Sequence, residues 1–356
     1  MTKKNIILGY TKKEINSAGE ALKDENSTEE NKIKALEILN NWRTVHSYPL
    51  HIFQMTLKKR SPKGSLVSQR LKRINSIVNK LRRNYNNHFI KLFDLQDIAG
   101  CRAVVPTIEK AEIIFKKYLS DSNFKHELIK SNDYVTNPKL DGYRSYHLVY
   151  KFKSDKGKNA YNDFLVEIQI RSKLQHIWAT AVETVDFFSR QTLKLGGGDE
   201  NWKEFFRLTS SAFAIKENKT IVNGTTSDKK ELYSKIKELA EKLDVLKTFS
   251  NWTSALRIAD ENKKNNKSQL FLLELDILRE KLDIHYYKKG EEEKATREYS
   301  ELEKKYYYGD NRKERGKDYY IVLVSVESLN NLKKAYPNYF LDTTDFIAEL
   351  KEILKK

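Results

Sequence analysis

Two carboxylates, Asp97 and Glu167, lie in or next to short apolar segments, with cations close by. Glu167 belongs to a predicted strand from Phe164 to Ile170, in which apolar and polar residues alternate. The polar face carries Glu167, Gln169 and Arg171. Two carboxylates near a polyphosphate are the usual protein ligands of Mg²⁺. The pattern leaves open whether this face is exposed or lines a cleft, and whether Asp97 lies beside Glu167.

A basic segment after residue 61 has cations at a spacing that suits phosphate groups. As a helix it would place one apolar face in a core, made of Val67, Leu71, Ile74, Val78 and Leu81. The opposite face would carry Lys72, Ser76, Lys80 and Arg83, with Arg70 at its border. Lysines offer point charges to phosphate, and arginine offers a planar fork that also stacks on bases. A solvated lysine-rich face is the alternative.

The segment from Asn137 to His147 begins as a turn and runs into a strand. Gly142 permits a sharp bend, and Tyr143 follows it, between Lys139 and Arg144. A tyrosine at such a tip suits stacking on a base while the cations contact phosphates. The alternative is a hairpin whose tyrosine packs on the strand. His147 and His176 are each interpreted as packing or hydrogen-bonding residues, because neither has a second ligand at metal spacing.

A mixed β-sheet flanked by helices is the fold class that these segments predict, that is α/β or α+β. The strands are Ile98 to Val105, Tyr146 to Phe152 and Phe164 to Ile170, and the helix from Ser172 to Phe188 closes the unit. Residues 1–60 form an N-terminal helical segment. Residues 61–222 form the sheet domain.

Residues 228–356 are predicted to form a mostly helical C-terminal domain, after a polar boundary at Asn223 to Ser227. Helices are expected at Leu232 to Leu246, Leu270 to Ile284 and Glu291 to Tyr306. Residues 286–302 resemble one tetratricopeptide-type hairpin. A strand at Tyr319 to Val326 and two short helices would form a separate unit. The glycine run Gly196 to Gly198 predicts a turn, and without a following Gly-Lys-Ser/Thr it is not a phosphate-binding P-loop.

The composition narrows the class of protein. The 356 residues carry a net charge of +17 and a pI near 9.4, which favours polyanionic partners such as nucleotides or nucleic acid, although a lysine-rich surface alone gives the same charge. No apolar run approaches the ~18 residues of a membrane-spanning helix. The N-terminus does not read as a secretory signal, and a single cysteine, Cys101, excludes an intramolecular disulfide framework. We therefore expect a cytoplasmic protein without a membrane partner.

Four motifs together resemble the RelA/SpoT alarmone synthetase family. The pattern Arg-x-Lys-x-x-x-Ser-x-x-x-Lys is met by Arg70, Lys72, Ser76 and Lys80. The other three motifs are met by Asp97 to Arg102, Asp133 to His147, and Glu167 to Arg171. They occur in the family's order within residues 65–188, which makes a chance match negligible.

The resemblance implies a nucleotidyltransferase-like synthetase fold and a role for each motif. Arg70 would stack on the adenine of ATP, with Lys72, Ser76 and Lys80 on its phosphates and Arg102 as a further ATP contact. Asp97 and Glu167 would hold Mg²⁺, and Glu167 would take the proton from the attacking ribose hydroxyl. Tyr143 would stack on the acceptor base. The other acceptor-binding residues would be Lys139, Arg144, His147, Gln169, Arg171 and His176.

The implied reaction is transfer of pyrophosphate from ATP to the 3′-hydroxyl of GDP or GTP, with release of AMP. The sequence departs from the family at Asp141, where asparagine is common, and at the helix from His176 to Glu183. It shows no His-Asp pair of the hydrolase domain, and we expect a synthetase-only protein, similar to small alarmone synthetases and their toxic relatives.

Two alternatives remain from the sequence. Some toxic relatives modify the 3′ end of tRNA, and an adenosine nucleotide is another conceivable acceptor. An inactive nucleotide sensor with a partner-binding tail is the second alternative. The C-terminal helices could bind a protein antitoxin or a trigger, or drive formation of a homo-oligomer.

Overall fold

The computed structural model describes residues 8–85, 88–154, 159–188, 198–255, 257–259, 270–276, 278–279, 281–288, 290–308, 319–325, 329–336, 339–340 and 343–355. Gly196 and Gly197 of the predicted glycine turn lie outside these ranges. None of the helices in the described ranges is long and apolar enough to span a membrane.

Three helices precede the sheet: α1 (Lys12–Lys23), α2 (Glu29–Val45) and α3 (Ser47–Arg60). These three helices lie within the N-terminal segment that was predicted to be helical. Thr28 begins α2, and its hydroxyl accepts a hydrogen bond from the amide of Asn31, as expected of a threonine N-cap. Leu39 and Trp42 are buried in the main core.

The elements of the central part alternate between strands and helices. They are β1 (Leu66–Leu71), α4 (Ile74–Leu81), β2 (Asn84–Tyr85), β3 (His88–Phe89), β4 (Ala99–Val105), α5 (Ile108–Ser120), β5 (Glu127–Asp133), β6 (Tyr146–Lys151), β7 (Leu165–Ser172), α6 (Lys173–Phe188) and α7 (Glu200–Lys216). The mixed sheet and its predicted strands are confirmed, as is the closing helix.

The C-terminal part contributes both strands and helices. They are α8 (Lys229–Lys242), α9 (Val245–Ala255), β8 (Arg257–Ala259), β9 (Leu270–Asp276), β10 (Lys281–Tyr287), α10 (Glu292–Tyr308), β11 (Tyr319–Ser325), α11 (Leu329–Ala335) and α12 (Thr344–Leu354). The described strands form one large sheet in the order β5-β6-β7-β4-β1-β11-β9-β10-β8, apart from the short β2–β3 pair.

Three predictions for the C-terminal part are wrong. Leu270–Asp276 and Lys281–Tyr287 form strands β9 and β10 rather than a helix, because Phe271, Leu272 and Leu273 are buried in the middle of the sheet. The tetratricopeptide-type hairpin is instead strand β10 followed by helix α10. β11 lies between β1 and β9, so this part of the tail joins the central sheet and is not a separate unit.

The prediction of one continuous basic helix is also corrected. Residues 66–71 form β1, which pairs with β4 along its whole length, and only residues 74–81 are helical. Val67 and Leu71 satisfy helical spacing, but this segment is a strand because it pairs with β4 on one side and with β11 on the other. Arg70 is therefore a strand residue, whereas Ser76 and Lys80 lie on α4.

A buried ion pair ties three parts of the chain together. Nη1 of Arg43 on α2 donates to Glu303 on α10 at 2.7 Å, and the guanidinium also donates to the Tyr299 hydroxyl. The other carboxylate oxygen of Glu303 accepts the amide N–H of Ile74, the first residue of α4, at 3.1 Å. The Glu303 carboxylate thus lies at the N-terminus of α4, where its negative charge interacts favourably with the positive end of the helix dipole.

Candidate active site

A cleft of about 990 Å³ lies over one face of the sheet. Strands β5, β6, β7, β4 and β1 form its floor, and α6 and α7 form a wall, while α3 and α5 pack on the opposite face of the sheet. β4 and β7 are parallel, with Gly100 opposite Glu167. Asp97, which lies just before β4, is therefore brought towards the carboxylate of Glu167. The predicted site residues that line the cleft are Arg70, Lys72, Lys80, Asp97, Arg102, Lys139, Tyr143, His147, Glu167, Gln169 and Arg171.

Asp97 is held between two lysines. Lys72 Nζ and Lys80 Nζ each donate to one of its carboxylate oxygens at 2.9 Å. Burial acts to raise the pKa of Asp97, but the two ammonium groups outweigh it and lower the pKa to about 2. The three side chains converge because Lys72 directly follows β1, Lys80 lies on the next element, α4, and the Lys72 amide donates to the main-chain oxygen of Ile98, the residue after Asp97. Without a phosphate present, the carboxylate is therefore the counter-ion of both lysines.

Glu167 belongs to a chain of hydrogen bonds across β6 and β7. His147 Nδ1–H donates to its Oε1 at 2.8 Å, and Gln169 Nε2 donates to its Oε2 at 2.7 Å. At the other end of the imidazole, Nε2 of His147 lies 2.8 Å from the Tyr143 hydroxyl, which also accepts from Arg171 at 2.7 Å. One face of the sheet therefore connects the carboxylate to the loop tyrosine.

These contacts shift the pKa of each member in the direction that favours its charged form. Burial acts to lower the pKa of His147, but Tyr143 and Glu167 outweigh it and raise the pKa to about 9. Burial and Arg171 act in opposite directions on Tyr143, and Arg171 together with His147 lowers the phenol pKa to about 7. Burial and the charge of Asp97 act to raise the pKa of Glu167, but His147 and Gln169 outweigh them and lower it. At neutral pH Glu167 is thus an ionised hydrogen-bond acceptor.

The loop before β6 carries Tyr143, which lines the cleft, and the position of this residue is fixed from both ends. Gly142 has a φ of +94°, a left-handed conformation that favours glycine. The Asp141 side chain accepts the amide N–H of Tyr143 at 2.9 Å. The ammonium of Lys139 lies 5.2 Å from the centre of the Tyr143 ring. Tyr143 combines the two open interpretations, because its ring borders the cleft while its hydroxyl is bound to the sheet.

On the other side of the cleft, the C-terminal part contacts Arg102. Its Nη2 donates to the main-chain oxygen of Ala335 at 3.1 Å, and the ring of Tyr336 lies 5.4 Å from the guanidinium. The Tyr336 hydroxyl donates to the main-chain oxygen of Gln69 on β1. Arg70 follows Gln69 on β1 and lies between Gly100 on β4 and Val324 on β11. This side of the cleft is therefore built by two distant parts of the chain.

Three predicted site residues do not line the cleft. Ser76 lies on α4 and is outside the lining. Arg144 is buried, and donates to Ser210 Oγ at 3.0 Å and to the Val135 oxygen at 3.2 Å, so it supports the loop from behind. His176 is also buried. Its Nε2–H donates to the Lys334 oxygen, and burial followed by the charge of Arg102 lowers its pKa to about 3. The structure thus places Arg144 and His176 in the framework around the cleft.

Helix α7 supplies lining residues that the sequence interpretation missed. Glu200, Lys203, Glu204 and Arg207 line the cleft and lie at positions i, i+3, i+4 and i+7 of the helix. The Arg207 guanidinium is held by Glu204 at 2.7 and 3.0 Å. Their helical spacing was a usable signal, but charged residues at this spacing are ordinary on exposed helices. Lys130 and Asn132 on β5 also line the cleft.

The two carboxylates fit the chemistry of a Mg²⁺ site. Asp97 and Glu167 line one cleft and are close enough for the charge of one to act on the pKa of the other. No group of three or more His, Cys, Asp or Glu side chains suited to a metal occurs within the described ranges. An ion held by these two residues would therefore take its remaining ligands from phosphate oxygens and water.

Comparison with known proteins gives one family match. Residues 69–187 match the family model described as "Region found in RelA / SpoT proteins". In Bacillus subtilis (strain 168), GTP pyrophosphokinase YjbM is 28% identical over 179 residues, which cover 49% of this chain and 79% of that protein. GTP pyrophosphokinase YwaC of the same strain is 26% identical over 161 residues, covering 40% and 73%.

Solved structures also match this chain, across about half of its length. The small alarmone synthetase 1 from Bacillus subtilis bound to its product pppGpp is 23% identical, with a TM-score of 0.41, covering 50% of this chain and 93% of that one. The small alarmone synthetase 2 from Bacillus subtilis is 21% identical, with the same TM-score and coverage. The family model covers all four sequence motifs, from Arg70 to Arg171. Residues 69–187 of this chain therefore contain a region of the kind that the family model describes in RelA and SpoT proteins.

Proposed function

We propose that this protein transfers a pyrophosphate group from ATP to the 3′-hydroxyl of a guanosine nucleotide, GDP or GTP, and releases AMP. The observation that carries the proposal is the arrangement of the cleft. Lys72 and Lys80 contact the Asp97 carboxylate, whereas Tyr143 is linked to the Glu167 carboxylate through His147, and all of these residues line the cleft. The relatives named GTP pyrophosphokinase support the same reaction class.

The ATP side consists of Arg70, Lys72, Lys80 and Arg102. Lys72 and Lys80 already share Asp97 as their counter-ion, and a triphosphate offers both a stronger anion. Arg70 supplies a planar guanidinium that suits stacking on adenine. Binding of ATP would thus release the Asp97 carboxylate from two of its partners.

The acceptor side consists of Tyr143, Lys139, Gln169 and Arg171, with Tyr143 stacking on the acceptor base. Glu167 accepts the proton of the ribose hydroxyl as the oxygen forms a bond to the β-phosphorus of ATP. The bond between that phosphorus and the bridging oxygen breaks, and the oxygen leaves with AMP. Mg²⁺ held by Asp97 and Glu167 would neutralise charge on the phosphates. The protein contributes mainly alignment and electrostatic stabilisation.

The direct test is incubation of the purified protein with ATP labelled in the β-phosphate, in parallel with GDP, GTP, ATP and deacylated tRNA. We expect the label to appear on GDP or GTP with equimolar AMP. Absence of transfer to every acceptor would overturn the proposal and favour the inactive nucleotide sensor.

A second candidate acceptor is the 3′ end of tRNA. The observations that favour it are the net charge of +17 and the cations Lys130, Lys139, Lys203 and Arg207 in the lining of the cleft. Binding of a nucleic acid to such a surface releases counter-ions, so labelling of tRNA would fall steeply as salt rises, whereas labelling of GDP would fall less. Labelling of GDP without labelling of tRNA at low salt excludes this candidate.

A further inference from the structure

We propose that Ser210 on α7 is a positioning residue for acceptor binding, because it fixes the loop of residues 137–147 that presents Tyr143. The inference rests on the proposed function in one respect, namely that this loop binds the acceptor. Helix α7 begins at Glu200, beyond the residues 69–187 that match the family. The acceptor site would therefore depend on a part of the chain outside the matched region.

A pair of buried hydrogen bonds joins Ser210 to the loop. Ser210 Oγ–H donates to the main-chain oxygen of Gly142 at 2.6 Å. Ser210 Oγ in turn accepts a hydrogen bond from Arg144 Nε at 3.0 Å. Ser210 and Arg144 are 2% and 4% exposed. The hydroxyl thus uses both its donor and its acceptor capacity on the residues that flank Tyr143.

The helix also approaches the loop too closely for any other residue at position 142. A Cβ atom on Gly142 would lie 2.9 Å from both Ser210 Cβ and the Trp178 ring, and 3.3 Å from the Phe206 oxygen. Trp178 is itself fixed, since its indole N–H donates to the Phe206 oxygen at 2.9 Å. The left-handed turn at Gly142 is therefore seated against α6 and α7.

Tyr143 is consequently held at two ends. Its hydroxyl is bound to His147 and Arg171, which are strand residues, and its backbone follows the turn seated on Ser210. Loss of the Ser210 hydroxyl leaves the Gly142 oxygen and Arg144 Nε without this partner in a buried place. Such a loss should loosen the loop rather than the sheet, because both partners of the Ser210 hydroxyl, Gly142 and Arg144, belong to the loop.

Ser211 provides a matched control. It is the next residue of α7 and fully buried, and its hydroxyl also makes two contacts, to the amide of Val222 at 3.0 Å and to Thr225 Oγ1 at 2.8 Å. Ser211→Ala therefore removes the same group from the same helix, without touching the loop. Ser210→Ala, Ser210→Cys and Ser211→Ala should be compared with the wild-type protein.

Two measurements distinguish this inference from the proposed function. Hydrogen–deuterium exchange of the peptide covering residues 137–146 reports the loop without any reaction, through amides such as that of Gly142, which donates to the Lys139 oxygen. Steady-state kinetics report the KM for acceptor and for ATP separately. We expect Ser210→Ala to speed exchange of this peptide and to raise the acceptor KM about tenfold, with the ATP KM unchanged.

Ser211→Ala should change neither quantity beyond its effect on melting temperature, and Ser210→Cys should be milder than Ser210→Ala. Equal effects of Ser210→Ala and Ser211→Ala on the loop peptide and on the acceptor KM would overturn the inference. Unchanged exchange in Ser210→Ala would also overturn it. An inactive wild-type protein would instead reject the proposed function, and the exchange result would still decide the role of Ser210.

Discussion

His147 joins Tyr143 to Glu167, with one ring nitrogen 2.8 Å from the phenol oxygen and the other 2.8 Å from the carboxylate. The residue proposed to stack on the acceptor base and the residue proposed to take its proton are therefore parts of one hydrogen-bonded unit. A shift of the loop would be transmitted to the carboxylate through a single imidazole. Binding and proton transfer should accordingly be harder to separate by substitution at His147 than at Tyr143 or Glu167.

We predict that Glu167→Gln retains the fold and abolishes transfer. The amide keeps the shape of the side chain but loses the charge, and with it the proton acceptor and a ligand for Mg²⁺, which together should lower turnover by at least about 10²-fold. Turnover of labelled ATP with the best acceptor, and the melting temperature, should be measured together. Glu127→Gln, on the exposed strand β5, is the control carboxylate. Near wild-type turnover of Glu167→Gln would show that the catalytic strand is wrongly assigned.

At Tyr143 we predict that alanine weakens acceptor use much more than phenylalanine. Stacking of a base on an aromatic ring contributes about 1–3 kcal/mol, so Tyr143→Ala should lower kcat/KM for the acceptor roughly tenfold or more. Phenylalanine keeps the ring face but loses the contacts to His147 and Arg171.

Binding of a non-hydrolysable ATP analogue should survive both changes at Tyr143, and can be measured beside the acceptor kinetics. A loss of ATP binding together with a fall in melting temperature in Tyr143→Ala would identify the tyrosine as a purely structural residue.

The buried pair of Arg43 and Glu303 should be important for stability. Arg43→Met leaves the Glu303 charge buried without its cation, and should lower the free energy of unfolding by about 3–5 kcal/mol. The double variant Arg43→Met/Glu303→Gln removes that charge but keeps an oxygen for the amide of Ile74, and should recover part of the loss. Urea denaturation of the wild-type, single and double variants tests this. A double variant that is no more stable than Arg43→Met would contradict the prediction.

Glu217 should make the protein less stable as the pH rises. Burial is the main reason that its pKa is raised to about 7, above the ordinary value of 4.5. Between these values the folded state binds more protons than the unfolded state, so the contribution of Glu217 to stability is complete below pH 4.5 and is lost by about pH 7. Because the side chain is half-buried, we expect the change to be about 2 kcal/mol, less than the full shift implies.

The test is the difference in unfolding free energy between Glu217→Gln and wild type, measured from pH 4 to pH 8. It should grow in favour of the variant as the pH rises. Glu231→Gln is the control, because hydrogen bonds from Lys235 and Thr226 lower the pKa of that exposed carboxyl, and its difference should not grow in this way. A Glu217→Gln difference that is constant over this range would reject the prediction.

The part of the fold and site that the sequence predicted is the part with a short-range signal. The alternation in β7 placed Glu167, Gln169 and Arg171 on one face, and the structure has all three in the cleft. That Asp97 faces the same cleft followed from the motif resemblance and not from periodicity. The sequence left their proximity open, because it depends on the parallel register between β4 and β7.

The failures have a common physical cause, namely long-range strand pairing. Segments such as Val67 to Leu71 fit helical and strand periods equally well. The choice is made by pairing with β4 on one side and with β11, more than 250 residues away in the chain, on the other. The run from Leu270 to Leu273 was ambiguous for the same reason, since both faces of β9 are covered. Arg144 was assigned to the acceptor because it follows Tyr143, whereas its partner Ser210 is 66 residues away.

The position of β11 between β1 and β9 has a consequence for synthesis on the ribosome. β1 acquires its first neighbour once β4 has emerged from the ribosome. Its other edge stays unpaired during the interval until β11 has been synthesised. The contact between Gln69 and Tyr336, which follows β11 in the chain, spans 267 residues. At ~5–20 residues per second this interval is on the order of 10 to 40 s. An open edge of this kind is a template for pairing with another chain. The nascent protein therefore passes through a period in which the strand carrying Arg70 needs protection from aggregation.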